Sequence, residues 1–519
     1  MTTVPMKVAS RERDAWEAGP DDVVLGVDVI ELVSSSLYVD PLSAYREYVQ
    51  NAADAIDDAR TLGILPEGES GRVDIFIDAA ARTVRIRDNG TGLGGDEFVR
   101  RLTAFGASEK RGKQRRGFRG VGRLAAVGYC QELLFRSRTG VGQPIRELRW
   151  DCRYLRSSLR SSEFSGTLAE AVHEATSHRT TRLPQYPDRF FEVELRGIVR
   201  HGKDDLLSAV AVQTYLSQVA PVPFAPTFRY RAEIDEFLSD LPTPGTLEIY
   251  VDDIGPVYRP HADAVAVKPG VASTVDSLQL FTIPGVDGGV AAKGWVAHHG
   301  YLGALPRDTN VRGLRLRTGN IQVGDDATLE HIFQEPRFNS WSVGEFHIVD
   351  SRIVPNGRRD QYEQSVHLAN VLNYIAPIAR DIGLRCRTRS QYRQLMRKGE
   401  LLAAEIEHGL SVLKQGALSP EAKRALIAKL DLSLEGLEKI ATASMLTAAD
   451  RSVHAARATS LGKRLTRAEE RDRSAAPLNR LTPQKRRTYE EVLSLIYECA
   501  GDVRGAKDLV DRVLARIKP

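Results

Sequence analysis

A carboxylate and an amide lie one helical turn apart in the segment Glu47–Asp54. Apolar residues recur around them with a period close to 3.6, which predicts a helix, and Glu47, Asn51 and Asp54 then share one face. The amide oxygen of Asn51 can bind Mg²⁺, which prefers oxygen ligands. Glu47 can act as a general base that polarises water for attack on a phosphoryl group. The alternative is a solvated polar face, but apolar neighbours such as Tyr45 argue against it.

A second carboxylate, Asp88, precedes two glycines, Gly90 and Gly92. The alternating runs Arg72–Ile77 and Thr83–Arg87 predict two strands joined by a turn, so Asp88 would end the second strand. Glycines permit positive φ and close approach of the main chain to a planar ligand. A fixed carboxylate there can accept a charged hydrogen bond from an exocyclic amine such as that of adenine, worth about 1.5 to 3 kcal/mol. The alternative is a simple Asx turn.

A basic, glycine-rich segment follows. Between Glu109 and Arg123 the sequence has seven Lys or Arg and one acidic residue. Its glycines open a predicted apolar helix from Val121 to Tyr129, and main-chain amides at such a position can bind anions. The segment has neither a Walker A sequence nor a dinucleotide-binding fingerprint. The positive charge favours a triphosphate ligand, although this motif alone is weak. The glycines are Gly117, Gly120 and Gly122.

The order and spacing of the three motifs resemble the superfamily of gyrase B, heat-shock-protein-90, histidine kinases and MutL (GHKL). The resemblance implies that Glu47 is the general base, Asn51 the Mg²⁺ ligand, Asp88 the adenine anchor and residues 117–122 the phosphate lid. It also implies ATP and Mg²⁺ as the bound species. The nucleotide-binding set that it implies is Asn51, Asp54, Asp88, Gly90, Gly92, Ser108, Lys110, Gly117, Gly120, Val121 and Gly122.

Within the superfamily, residues 36–60 are most similar to the opening helices of the heat-shock-protein-90 chaperones. The segment Ala220–Phe224 also falls where the chaperone ATPase domain ends. Histidine kinases fit poorly, because they normally lack a glutamate in the position of Glu47. The resemblance covers roughly residues 20–225. It is weaker over 226–375, and the last third lacks an obvious match to the chaperones' dimerisation sequence.

The chain of 519 residues is too long for one core and predicts about three domains. We expect an α+β protein with a Bergerat-type α/β sandwich ATPase domain at 1–225, a mixed α/β domain at 226–375 and a helical domain at 376–519. No run approaches eighteen apolar residues, so we expect no membrane span, no signal peptide and a cytoplasmic location. The four cysteines are far apart and predict buried thiols without a zinc site. They are Cys130, Cys152, Cys386 and Cys499.

Two turns of the middle region carry arginines beside predicted strands. In the GHKL superfamily a middle-domain Arg or Lys reaches the γ-phosphate, as an arginine finger does elsewhere. The resemblance makes Arg312 and Arg358 candidates for that catalytic role. Ion pairs with Asp308 or Asp360 are the alternative for either arginine.

The resemblance favours an ATP-driven conformational clamp of chaperone type, acting on a protein client and dimerising through its C-terminal helices. One alternative is a DNA-associated ATPase gate of the MutL or MORC kind. The region from Asp381 onward has 27 Lys and Arg against 18 Asp and Glu, a net charge of +9, which could touch nucleic acid. Against that, we find no base-reading module. A non-hydrolysing ATP-sensing scaffold is the third hypothesis, and Glu47 argues against it.

Overall fold

The computed structural model describes residues 40–95, 97–104, 122–160, 167–200, 202–241, 245–252, 254–470, 477–500 and 503–517. The chain divides into two compact units. The first comprises residues up to His299 together with Ala304–Ala379, and the second comprises Gly300–Gly303 together with the chain from Arg380. Both candidate motifs that are described in full, around Glu47 and Asp88, belong to the first unit.

Helices and strands alternate in the first part of the described chain, and helices alone make up its end. The helices are α1 Ser43–Thr61, α2 Glu97–Thr103, α3 Cys152–Arg160, α4 Leu168–Ala175, α5 Ala209–Val219, α6 Arg231–Leu238, α7 Val366–Gln415, α8 Pro420–Ala441, α9 Ala448–Glu470, α10 Pro483–Cys499 and α11 Val503–Leu514. The strands are β1 Arg72–Asp78, β2 Thr83–Asp88, β3 Glu132–Thr139, β4 Ile145–Asp151, β5 Thr176–Thr181, β6 Arg189–Arg196, β7 Glu248–Val251, β8 Ala264–Lys268, β9 Val271–Pro284, β10 Val290–His299, β11 Gly313–Thr318, β12 Ile321–Val323 and β13 Val343–Ile348.

The first sheet has the strand order β5-β4-β3-β6-β2-β1-β7. Its neighbours are antiparallel except for β1 and β7, which run parallel with Arg72 opposite Glu248. Val73 and Ile75 of β1 are buried, which is the alternation expected of a strand with one covered face. Tyr45 and Ile56 of α1 belong to the same hydrophobic core, so this helix is packed into the domain that the sheet forms.

The second sheet has the order β12-β11-β13-β10-β9-β8 and also lies in the first unit. Strand β11 runs parallel to β13, and the other neighbours are antiparallel. Phe224, Ile234 and Trp295 contribute to its core. The chain thus enters the second core at Phe224, returns to the first sheet in β7, and then builds the second sheet. The division at residues 225 and 375 stays a prediction.

Helices α8 and α9 pack together with the later part of α7 in the second unit. Their contacts are leucine-rich, as is typical of helices that each bury one apolar stripe. The buried apolar residues of this core are Ala403, Ile406, Leu410, Leu430, Leu437, Ala458, Leu461 and Leu465. Within the described ranges, every helix is too short or too polar to cross a bilayer.

The predicted α+β class is confirmed: an α/β sandwich, a mixed second sheet region and a helical end. The predicted apolar helix from Val121 to Tyr129 is wrong where the structure describes it, since Gly122–Leu124 forms a 3₁₀ turn and further turns follow. Three of the four thiols are buried as predicted, but Cys499 is exposed.

Candidate functional site

Helix α1 carries three of the predicted site residues on one face. Glu47 and Asp54 are buried and Asn51 is half-buried, so the alternative of a fully solvated polar face is wrong. Two tyrosines anchor the helix. The Tyr45 hydroxyl donates to the carbonyl of Leu206 at 2.6 Å, and the Tyr48 hydroxyl accepts from the amide of Ala126 at 3.3 Å. These two hydrogen bonds, made by buried tyrosines, therefore hold the polar face of the helix in place.

Asp88 ends β2 and is buried. Its Oδ1 accepts a hydrogen bond from the amide of Gly90 at 2.9 Å, so the Asx turn expected as the alternative is present. Desolvation raises the pKa of Asp88 to about 7, and the Gly90 hydrogen bond opposes this shift. A carboxylate has about four lone-pair sites, so the Asx turn is compatible with a second donor from a ligand.

The two glycines after Asp88 are required by close approaches. A Cβ on Gly90 would lie 2.8 Å from the Cβ of Ala55 on α1. The amide of Thr91 donates to the carbonyl of Ala55 at 3.2 Å. Gly92 has a φ of +67°, and a Cβ there would lie 2.5 Å from the carbonyl oxygen of Arg138 on β3. The Asp88 loop is therefore pressed against the helix that carries Glu47 and Asn51.

The end of the glycine-rich segment meets Glu47. A Cβ on Gly122 would lie 2.5 Å from Glu47 Oε2, so only glycine leaves room for the carboxylate in this position. The other predicted residues of this segment lie outside the described residues, and their roles stay predictions. These are Ser108, Lys110, Gly117, Gly120 and Val121.

Two guanidinium groups flank the Glu47 carboxylate. Arg46 Nε lies 3.6 Å and Arg359 Nε lies 3.4 Å from Glu47 Oε1. Arg46 also donates through Nη2 to the carbonyl of Arg358 at 3.0 Å. Both Arg46 and Arg359 are buried, which strengthens their electrostatic effect on the carboxylate. The loop between Asn356 and Asp360 is thus fastened to the start of α1.

Sequence reasoning missed Arg359. The signal was present, since Arg359 follows the candidate Arg358 in the same turn, but nothing local distinguishes the two. Arg358 is exposed and contributes its main-chain carbonyl. Arg312 lies against Asp326, a carboxylate other than the Asp308 suggested by the sequence. The roles predicted for Arg312 and Arg358 at a γ-phosphate remain untested.

A cavity of about 960 Å³ adjoins the arginine side of Glu47. Arg46, Arg358 and Arg359 line it, together with Tyr215 of α5. Burial raises the pKa of Tyr215 to about 12, so its hydroxyl stays neutral at physiological pH. The exposed side chain of Arg358 therefore faces open space next to the buried pair that contacts Glu47.

Comparison with known proteins supports the assignment of this region. Residues 39–178 match the sequence model of a family described as histidine kinase-, DNA gyrase B-, and HSP90-like ATPase. The matched range contains Glu47, Asn51, Asp88 and Gly122. The predicted resemblance to the GHKL superfamily, on its heat-shock-protein-90-like side, is confirmed.

Curated relatives named "Chaperone protein HtpG" are similar to the same part of the chain. The relative from Methylococcus capsulatus is 30% identical over 198 residues, covering 34% of this chain and 30% of the relative. That from Cupriavidus metallidurans is 28% identical over 205 residues, covering 36% and 29%. That from Legionella pneumophila strain Paris is 26% identical over 195 residues, covering 34% and 30%. The matched part of the chain thus spans under a third of the length of these relatives.

Proposed function

From the similarity of residues 39–178 to GHKL ATPases, we propose that this protein binds Mg-ATP and hydrolyses it to ADP and phosphate. One observation carries the proposal. Glu47 and Asn51 stand one turn apart on a buried helix, and the glycine loop after Asp88 packs against that same helix. A general base, a hard oxygen donor and a buried carboxylate beside a main-chain platform are groups that can bind and hydrolyse Mg-ATP.

Adenine binding rests on Asp88 in this proposal. The exocyclic amine of adenine would donate to the Asp88 carboxylate, while Gly90 and Gly92 leave the main chain free of side chains beside the base. Ionised Asp88 is poorly solvated by the protein alone, and burial holds its pKa near 7. A donated hydrogen bond from the ligand would favour the ionised form, so binding and ionisation would support each other.

Asn51 fits Mg²⁺ as a single protein donor, with phosphate oxygens and water completing an octahedral set. The ion would neutralise charge on the β- and γ-phosphates. Within the described residues, no three His, Cys, Asp or Glu side chains lie together as a metal cluster. The half-buried Asn51 amide can present its oxygen on the face of α1 that also carries Glu47.

In the hydrolysis step, Glu47 would accept a proton from a water molecule as that water attacks the γ-phosphorus. The bond between the γ-phosphorus and the β–γ bridging oxygen breaks, and ADP leaves with the electron pair. Arg46 and Arg359 are proposed as positioning residues that hold the Glu47 carboxylate.

The finer proposal is a conformational clamp of chaperone type that acts on a protein client. Arg359 comes from the loop after β13, in the region of the second sheet. A displacement of Glu47 on ATP binding would therefore be transmitted to that region through the contact with Arg359. The HtpG relatives are chaperones by name, which supports this choice. A homodimer through the C-terminal helices and a cytoplasmic location stay further parts of the proposal.

The test compares Glu47→Gln with the exposed control Glu67→Gln. We expect Glu47→Gln to lower turnover about 10²-fold or more, the usual contribution of a general base, while ATP affinity is kept. The control should match the wild type. Undiminished turnover in Glu47→Gln would show that Glu47 is not the general base. Absence of ATP binding in the wild type would overturn the proposed function.

The clamp is tested separately by small-angle X-ray scattering of the Glu47→Ala protein, which should hold ATP without consuming it. We expect Mg-ATP to change its radius of gyration or its oligomeric state. If neither changes at saturating Mg-ATP, the protein can still be an ATPase but is not a clamp.

A further inference from the structure

A basic stretch lies in the second unit, within helix α7. From Ile382 to Gly399 the sequence contains six Arg or Lys and no Asp or Glu. The whole stretch is helical. Six of the 27 Lys and Arg from Asp381 onward thus lie in eighteen consecutive residues that include no acidic side chain.

One side of this stretch is covered by α9. The Tyr392 hydroxyl donates to Asp450 Oδ2 at 2.7 Å. The ring of His454 lies 3.4 Å from Met396 Sδ, and a Cβ added to Gly399 would lie 2.6 Å from His454 Cε1. Tyr392, Met396 and Gly399 thus mark the face of α7 that is buried against its neighbour.

A different face of α7, which begins at Arg380 and continues through this stretch to Lys398, is exposed and basic. Successive residues of an α-helix are about 100° apart around its axis, and the residues of this face all lie within about 40° of one line along the helix. That line is about 100° or more from the residues that α9 covers. Leu384, 59% exposed, lies at the edge of this face. We call it the basic face of α7, and its polar members, all exposed, are Arg380, Arg387, Gln391, Gln394 and Lys398.

The dimensions of the basic face suit a duplex. Arg380 and Lys398 are eighteen residues apart, which is about 27 Å along a straight helix and corresponds to about eight base pairs. The three cations on this line are about 10 Å and about 16 Å apart along the helix axis, so each can contact a separate phosphate. The amides of Gln391 and Gln394 can donate to phosphate oxygens. Arg385 is not a member of the face, because it lies about 140° around the helix from this line.

We propose that the basic face of α7 binds the phosphate backbone of a nucleic acid duplex. An acidic protein is the competing partner. Protein–protein interfaces have an apolar, often aromatic, centre from which charged residues are depleted, whereas this face offers arginine, lysine and glutamine around the single exposed Leu384. The contacts available are phosphate contacts, so the binding would be largely independent of base sequence.

The experiment uses the full chain and two triple variants. The first changes Arg380→Gln, Arg387→Gln and Lys398→Gln. The second is a control that removes the same charge elsewhere in the second unit. Each control cation has an acidic helix neighbour three or four residues away. The control substitutions are Arg424→Gln, Lys439→Gln and Arg487→Gln.

Binding is measured by fluorescence anisotropy with labelled duplex DNA and duplex RNA, at salt concentrations from about 50 to about 200 mM. For three phosphate contacts we expect the logarithm of the affinity to fall against the logarithm of the salt concentration with a slope of about −3. The basic-face variant should lose most of that slope and about tenfold or more in affinity at low salt. The control variant should keep both within about a factor of two.

Comparable losses in the two variants, or no binding by the wild type, would overturn the proposal. So would polyglutamate competing as well as the duplex at equal charge, because that result would indicate an acidic protein partner. Circular dichroism verifies that the variants keep their helices. A difference between DNA and RNA in affinity identifies the source of the phosphate backbone. None of these measurements needs ATP, so they stand apart from the ATPase proposal.

Discussion

Arg359 Nε lies 3.4 Å from Glu47 Oε1, although the two residues come from distant parts of the chain. Arg359 has a φ of +57°, a left-handed conformation that costs a non-glycine residue about 1 to 3 kcal/mol. Surrounding contacts hold it there. Its amide donates to the carbonyl of Asn356 at 3.2 Å, and its carbonyl accepts from the amide of Gly324 at 2.9 Å. The main chain that carries this guanidinium is therefore held in place by the fold.

We expect Arg359→Ala to lower ATP turnover about tenfold or more, because a displaced catalytic carboxylate loses the geometry that general-base attack requires. ATP affinity should change much less, since adenine binding rests on Asp88. The neighbouring Arg358→Ala is the matched control, because it removes the same charge from an exposed side chain. Steady-state kinetics and calorimetric ATP binding distinguish the two effects. If Arg358→Ala lowers turnover more than Arg359→Ala does, the positioning role belongs to Arg358 and not to Arg359.

Gly122 offers an independent test of where the Glu47 carboxylate lies. The methyl group of Gly122→Ala would be placed 2.5 Å from Glu47 Oε2 and must push the carboxylate aside. Turnover should fall about tenfold or more. Gly128→Ala is the control, because a Cβ there meets nothing within 4 Å. Equal turnover in the two alanine variants would show that Glu47 occupies another position during the reaction.

Local patterns were enough to predict the elements around Glu47 and Asp88. Helix α1, Ser43–Thr61, contains the whole predicted segment Glu47–Asp54, and strands β1 and β2 lie where the alternation indicated. These elements could be predicted because each buries one regular face, so the period of apolar residues reports directly on the structure.

Other elements were hidden from this kind of reasoning. Strand β3 places Arg136 in the sheet, where it is buried between Glu147 and Glu192, at 2.8 Å from each. Buried ion pairs replace the apolar alternation that would indicate a strand. The helix prediction for Leu124–Val127 was wrong for the opposite reason. Four consecutive residues are buried there, so the apolar residues have no helical period. The Arg359 contact could not be predicted because it depends on tertiary structure.

The buried ion pairs of the second sheet should contribute strongly to stability. Glu345 is fully buried and pairs with Arg259 and, at 2.8 Å, with Arg317. Arg317 Nη2 also donates to the carbonyl of Gln218 at 2.5 Å, at the end of α5. We expect Glu345→Gln to lower the free energy of unfolding by about 3 to 5 kcal/mol, because it leaves two buried guanidinium groups without a counter-charge. Urea denaturation measures the loss.

Glu335→Gln provides the comparison for that measurement. Glu335 pairs with Arg337 at the surface, where the Arg337 side chain is 72% exposed. Exposed pairs contribute about 0 to 1 kcal/mol, so this variant should unfold close to the wild type. A similar small change in both variants would mean that water reaches Arg259 and Arg317 in the absence of the Glu345 charge.

Asp88 predicts a pH dependence whose sign is unusual for a carboxylate. Burial raises the pKa of Asp88 to about 7 in the folded state, above the value of 3.8 for an unperturbed side chain. The folded protein therefore binds the proton more tightly than the unfolded chain. The resulting stabilisation is fully present below the unfolded pKa and is lost as the pH rises through about 7.

Asp88→Asn removes this titration while keeping the size of the side chain. The free energy of unfolding without nucleotide should fall from pH 5 to pH 8 by on the order of 2 kcal/mol more in the wild type than in Asp88→Asn. Subtracting the two profiles removes the other titrating groups, which both proteins share. Parallel profiles would show that Asp88 is ionised throughout this range. In that case the carboxylate would not need a ligand's hydrogen bond to become charged, and its proposed coupling to adenine binding would fail.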